Sequence, residues 1–122
     1  MTATQTNLQT RIEDLLDYIR TGRIMDAMHE FYDDSLTMSE PAYGDTVGLA
    51  ANIIREQAFV DSVKEWKNFD VTAISVGDDV TAYESVMDWV NTDGDDIHVE
   101  QVAVAKWKDG KIVHERFYYN MG

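Results

Sequence analysis

Asp109 and Gly110 stand between two runs of strand-forming residues, Gln101–Lys108 and Lys111–Asn120. That dipeptide suits a two-residue type I′ turn, whose central residues both need φ > 0. The turn sets a register. Lys108 faces Lys111, Ala105 faces His114, Ala103 faces Arg116 and Gln101 faces Tyr118. Side chains alternate across a strand. One face then carries Gln101, Ala103, Ala105 and Trp107 with Ile112, His114, Arg116 and Tyr118. The other carries Val102, Val104 and Lys106 with Val113, Glu115, Phe117 and Tyr119. Two alanines opposite two long polar side chains leave room on the first face, which reads as a pocket wall.

A period of two extends back to Phe69. It predicts strands over 69–76, 80–91, 97–108 and 111–120, joined by turns at 77–79 and 92–96. Upstream the period is helical. Leu8, Ile12, Leu15 and Ile19 predict a first helix, with Thr6-x-x-Gln9 as a capping box and Gly22 as its stop. Ile24, Ala27, Met28 and Phe31 predict a second helix over 23–32. Leu36, Met38 and Glu40 alternate on a short strand that Pro41 ends. A loop over 42–46 and a third helix over 47–66 follow. The chain reads as one α+β domain over 1–122, with 1–6 a loosely ordered tail.

Twenty-three Asp and Glu against ten Lys and Arg give a formal charge of −13, a field that repels phosphate backbones and anionic membranes. Nucleic acid and membrane are therefore not expected partners. The acidic surface suits solubility, including in a saline cytoplasm, or attraction of a cationic substrate. There is no cysteine and hence no disulfide or thiolate chemistry. No apolar run spans a bilayer, and the N-terminus shows no signal peptide, so a cytoplasmic location is expected.

Phe31-Tyr32-Asp33-Asp34, Thr46-Val47-Gly48, Trp107-Lys108-Asp109-Gly110-Lys111-Ile112-Val113 and Tyr118-Tyr119-Asn120, in the order helix–helix–strand–helix–meander, resemble the SnoaL-like branch of the nuclear-transport-factor-two-like superfamily. The resemblance covers about residues 8–120. It implies a cone-shaped α+β barrel, with N-terminal helices packed in the concave face of a curved, mostly antiparallel sheet around an apolar pocket. It also implies a small apolar ligand, often a homodimer, and chemistry ranging from cyclisation, isomerisation and dehydration to hydrolysis. In SnoaL-type cyclases the last strand ends in an acid–base aspartate. The matching position is Asn120, whose amide cannot transfer that proton.

On the expected pocket face Glu40, His114 and Arg116 are the candidate catalytic groups. An apolar cone would raise Glu40 toward a working base, and Arg116 could hold an oxyanion. Pairing of Glu40 with Arg116, and a hydrogen-bonded structural role for His114, stay open beside that reading. Tyr18, Tyr32, Met38, Tyr83, Ser85, Met87, Gln101, Trp107, Tyr118 and Asn120 are the expected ligand-pocket residues. Core packing is the alternative for the aromatics and methionines. Val86, Val102, Val104 and Phe117 are expected on the outer face as a homodimer contact. His98-x-Glu100 lacks a third metal ligand, Asp93-Gly94-Asp95-Asp96 lacks the spacing of a calcium loop, and no glycine-rich phosphate loop is present. No metal or cofactor is expected. A non-catalytic ligand-binding or dimerisation module remains the second functional class.

Overall fold

The computed structural model describes residues 3–120, with side chains from residue 7 onward. Helix α1 (Ala3–Arg20) buries Leu8, Ile12, Leu15 and Leu16 along the stripe their spacing dictates. The tail expected over 1–6 is helical from Ala3, because the helix extends past the expected capping box; residues 1 and 2 and the Thr6 side chain lie outside the described residues. Gly22 (φ 77) ends the helix as expected. Its N–H reaches the Ile19 carbonyl, and Arg23 N–H reaches that of Tyr18. A left-handed residue closes a helix this way, and glycine adopts it without a Cβ clash. Helix α2 (Ile24–Phe31) buries Ala27, Met28 and Phe31 against the same core.

Strand β1 (Tyr32–Glu40) is longer than the alternation of its apolar residues suggests. It pairs antiparallel with a short β2 (Gly44–Val47), in the stretch expected as a loop. Helix α3 (Leu49–Asp61) is shorter than the 47–66 expected. Ser62 ends it. Its N–H and Oγ both turn back to the Phe59 carbonyl, and its own carbonyl accepts from Thr92 N–H. Residues from Val63 onward therefore belong to the sheet. Bulges in β3 (Val63–Val76) hid this, because they break the period-two signal. Strands β4 (Val80–Asn91), β5 (Asp96–Lys108) and β6 (Lys111–Tyr119) complete an open, curved sheet of order β2-β1-β6-β5-β4-β3. Its pairings are antiparallel except β1 with β6, and the helices lie on one face. The expected α+β architecture is the one observed.

The β5–β6 turn also forms as expected, with φ 52 at Asp109 and φ 78 at Gly110. Lys108 pairs with Lys111 and Trp107 with Ile112. The register then slips. Lys106 pairs with His114, Ala105 with Glu115, Ala103 with Phe117 and Gln101 with Tyr119. Val113 is the extra residue of a bulge, and every later side chain of β6 changes face. Phe117 therefore leaves the expected outer contact for the interior, while Val86, Val102 and Val104 stay on the outer face. The energetic sense is plain. The unbulged register would bury the Arg116 guanidinium, which cannot shed its charge. The observed register turns Phe117 and Tyr119 inward and buries a carboxyl group that can take up a proton. A similar bulge at Thr72 turns Ala73 outward and brings Ile74 opposite Tyr83.

Candidate functional site

A cavity of about 550 Å³ lies between the helices and the concave face of the sheet. Most of its wall is apolar: Leu15, Ile19 and Met28 from the helices, Phe69, Met87 and Phe117 from the sheet. Three carboxyl groups and one cation interrupt it. Glu40 comes from the end of β1, Glu56 and Arg55 from α3, and Glu115 from β6. Among the described residues Arg55 is the only Lys, Arg or His in the lining.

Glu115 is 1% exposed. The Tyr32 hydroxyl donates to its Oε1 at 2.8 Å, while Oε2 has no hydrogen-bond partner among the described residues. Burial pushes this carboxyl up to about 8; the Tyr32 hydrogen bond offsets part of that, and the fields of Glu56 and Glu40 add to it. At neutral pH Glu115 is therefore largely an acid. With Oε1 accepting from Tyr32, the proton is left to the buried Oε2. Burial likewise holds the Tyr32 and Tyr83 phenols well above their ordinary value, so both remain donors.

Glu56 follows the same logic at a shallower site. Burial raises it to about 7; Arg55, whose Nη2 lies 3.9 Å from Glu56 Oε2, pulls it down and Glu40 pushes it up. Glu40 is held differently. Arg55 Nη1 is ion-paired to its Oε2, and the Tyr119 hydroxyl lies 3.4 Å from its Oε1. Arg55 Nη2 also contacts Met38 Sδ at 3.0 Å and Asn52 Oδ1 at 3.4 Å. Asn52 is fully buried and donates to the Thr46 and Gly48 carbonyls, which ties α3 to the β2 strand before it.

Of the expected pocket residues, Tyr32, Met38, Tyr83, Met87 and Gln101 line the cavity, as does Glu40. His114 and Arg116 do not, because the Val113 bulge places them on the outer face. His114 Nε2 meets Ser39 Oγ at 3.1 Å, the structural alternative left open for it. Glu40 pairs with Arg55 rather than Arg116. The other expected pocket residues also fall elsewhere. Tyr118 is 53% exposed on the outer face, and Asn120 is exposed after β6. Tyr18 packs edge-on against Phe31 with Arg23 above its ring. Trp107 is core, its Nε1 donating to Thr81 at 2.9 Å, and Ser85 is buried without reaching the cavity.

Glu115, Glu56 and Arg55 were missed. One signal for Glu115 was available. The set Val113, Glu115, Phe117, Tyr119 is more apolar than Ile112, His114, Arg116, Tyr118, and the more apolar set belongs inside. Nothing in the helical pattern of α3 distinguishes Glu56 from a solvated residue. Among the described residues no three His, Cys, Asp or Glu side chains are placed to hold a metal ion, and no helix is long and apolar enough to cross a membrane.

The family model of the SnoaL-like domain matches residues 3–119, and the chain belongs to that family. Solved structures with the same fold include one described provisionally as a SnoaL-like polyketide cyclase from Mesorhizobium loti. It shows 22% identity over 98% of this chain and 100% of that one, with TM-score 0.81. A second, from Jannaschia and similarly described, shows 13% identity over 99% and 90% of the two chains, with TM-score 0.84. A third, described provisionally as an isomerase from Rhodopseudomonas palustris, shows 17% identity over 92% and 88%, with TM-score 0.75. A comparison with curated proteins gives no match.

Proposed function

We propose that the protein is a proton-transfer enzyme acting on an apolar carbonyl compound held in this cavity. The observation that carries the reading is a buried acid, Glu115, with an unpartnered Oε2, in the wall of a cavity that also holds a second carboxyl group raised to about 7. A guest carbonyl oxygen would accept a hydrogen bond from Glu115 Oε2–H. The Glu56 carboxylate would remove a proton from the adjacent carbon. The C–H electron pair forms the new C=C bond, and the carbonyl π pair moves to the oxygen that Glu115 stabilises. Return of the proton at another carbon gives isomerisation; loss of a β-hydroxyl group gives dehydration. Arg55 and Glu40, closed on each other, hold α3 and β1 together around the site.

The test is deuterium exchange from solvent into the α-carbon of a panel of cyclic ketones, followed by NMR. The natural chain should exceed buffer. Glu56→Gln should lose roughly 10²- to 10⁴-fold of that rate. The rate should rise as Glu56 ionises through about 7 and fall as Glu115 loses its proton through about 8, giving a narrow bell. No exchange above buffer with any ketone would remove the enzymatic reading. Retained binding without exchange would favour the second one, a ligand-binding module, which Asn120 at the cyclases' acid position supports. We also propose the outer-face patch of Val86, Val102 and Val104 as a contact between two copies. Val104→Asp should give monomers in sedimentation, and an unchanged mass would discard that contact.

A further inference from the structure

A second cavity of about 220 Å³ lies beside the first, lined by the end of α1, the start of α2 and the outer half of β3. The two share four wall residues: Ile19 and Ile24 from the helices, Phe69 and Met87 from the sheet. Phe69 and Met87 are direct partners across β3 and β4. One cross-strand pair and two isoleucines are thus the whole partition. Methionine is the pliable member of it, unbranched and able to change rotamer at little cost.

The backbone beside the partition is irregular in a way that serves this groove. On a regular strand Trp66 and Phe69, three apart, would point to opposite faces. A bulge between Trp66 and Asn68 sets Trp66 opposite Trp89 and Phe69 opposite Met87, so both rings turn inward. Trp66 lines only the second cavity and Trp89 only the first, with ring centroids 5.9 Å apart. Trp66 remains 38% exposed, an apolar surface beside an opening whose rim is Arg20, Lys67 and Asn68.

We infer that the ligand is an elongated carbonyl compound, its carbonyl at Glu115 and its apolar chain running past Phe69 and Met87 into the groove under Trp66, to emerge between Arg20 and Lys67. This rests on the carbonyl-binding reading above and adds to it the shape of the substrate. A compact ketone would fill the first cavity alone. A long-chain one gains about fourfold in affinity for each methylene buried beyond the partition.

The experiment is calorimetric titration of the full chain with methyl butyl ketone and methyl decyl ketone. The long ketone should bind at least about tenfold more tightly. Trp66→Ala should weaken the long ketone roughly tenfold and leave the short one within about twofold. Trp66→Phe, which keeps part of the ring over the groove, should weaken the long ketone less and likewise leave the short one within about twofold. Equal affinities in the natural chain, or equal losses for both ketones in both variants, would overturn the extended site while the carbonyl site stands. Binding of neither ketone would overturn both.

Discussion

Glu115 and Glu40 share one cavity and are kept there by opposite means. Among the described residues Glu115, 1% exposed, has no ion-pair partner and only a tyrosine hydroxyl on one oxygen; it remains inside by holding a proton. Glu40, with 14% of its side chain exposed, lies against Arg55 and remains inside as half of an ion pair. A carboxylate in an apolar cavity must either be neutralised or be matched. The matched one stiffens the wall between α3 and β1. The neutralised one keeps an O–H, the group that the proposed reaction uses. That difference is why the chemistry is assigned to Glu115 and Glu56, and the architecture to Glu40 and Arg55.

Removing the proton-holding group should have the largest effect. The carboxyl of Glu115 titrates near 4.5 in an unfolded chain and about 8 in the fold, so the native state retains a proton that the unfolded state releases between those values. The stability it contributes is fully present below 4.5 and is lost as the pH rises through 8. Glu115→Gln cannot ionise. Its stability relative to the natural chain should therefore climb by roughly 3–5 kcal/mol from acid to alkaline pH in urea titrations. A flat difference would show that Glu115 is not a buried acid.

The matched group should respond next. Arg55→Leu leaves the Glu40 carboxylate half-buried without its cation and should cost roughly 2–4 kcal/mol of unfolding free energy. Replacing Glu40 and Arg55 together by methionine should recover most of it. If the double variant is no better than the single, the pair is not acting as a unit. Tyr32→Phe should cost roughly 1–3 kcal/mol. It should also move the Glu115 titration further up, read by carbon NMR, because the lost hydroxyl favoured the ionised form. The smallest effect belongs to the outer face. His98 and Asp88 meet at 2.6 Å, but the histidine side chain is 58% exposed. His98→Asn should leave the unfolding midpoint unmoved, since solvent screens such pairs.

Much of the fold was legible from local chemistry. Asp109-Gly110 specified its turn through the positive φ that few residues tolerate, Gly22 stopped α1 for the same reason, and the spacing of Leu8, Ile12 and Leu15 specified a buried helical face. The site was legible only in part. Tyr83, Met87 and Gln101 line the cavity because the β4–β5 register runs true, and Met38 and Glu40 because the alternation between them holds beyond the irregularity at 32–37; Tyr32 sits ahead of it. His114, Arg116 and Tyr118 were assigned to the wrong face by the single residue Val113. A bulge is chosen by the whole sheet, which compares turning Phe117, Tyr119 and a protonatable glutamate inward with burying an arginine. No window of a few residues contains that comparison. The turn, the apolar stripes and most of the elements depend on neighbours along the chain and could be read from it. Which carboxyl groups meet in the cavity, and how closely each lies to Arg55, was settled only in three dimensions, because burial and pairing depend on neighbours across the fold.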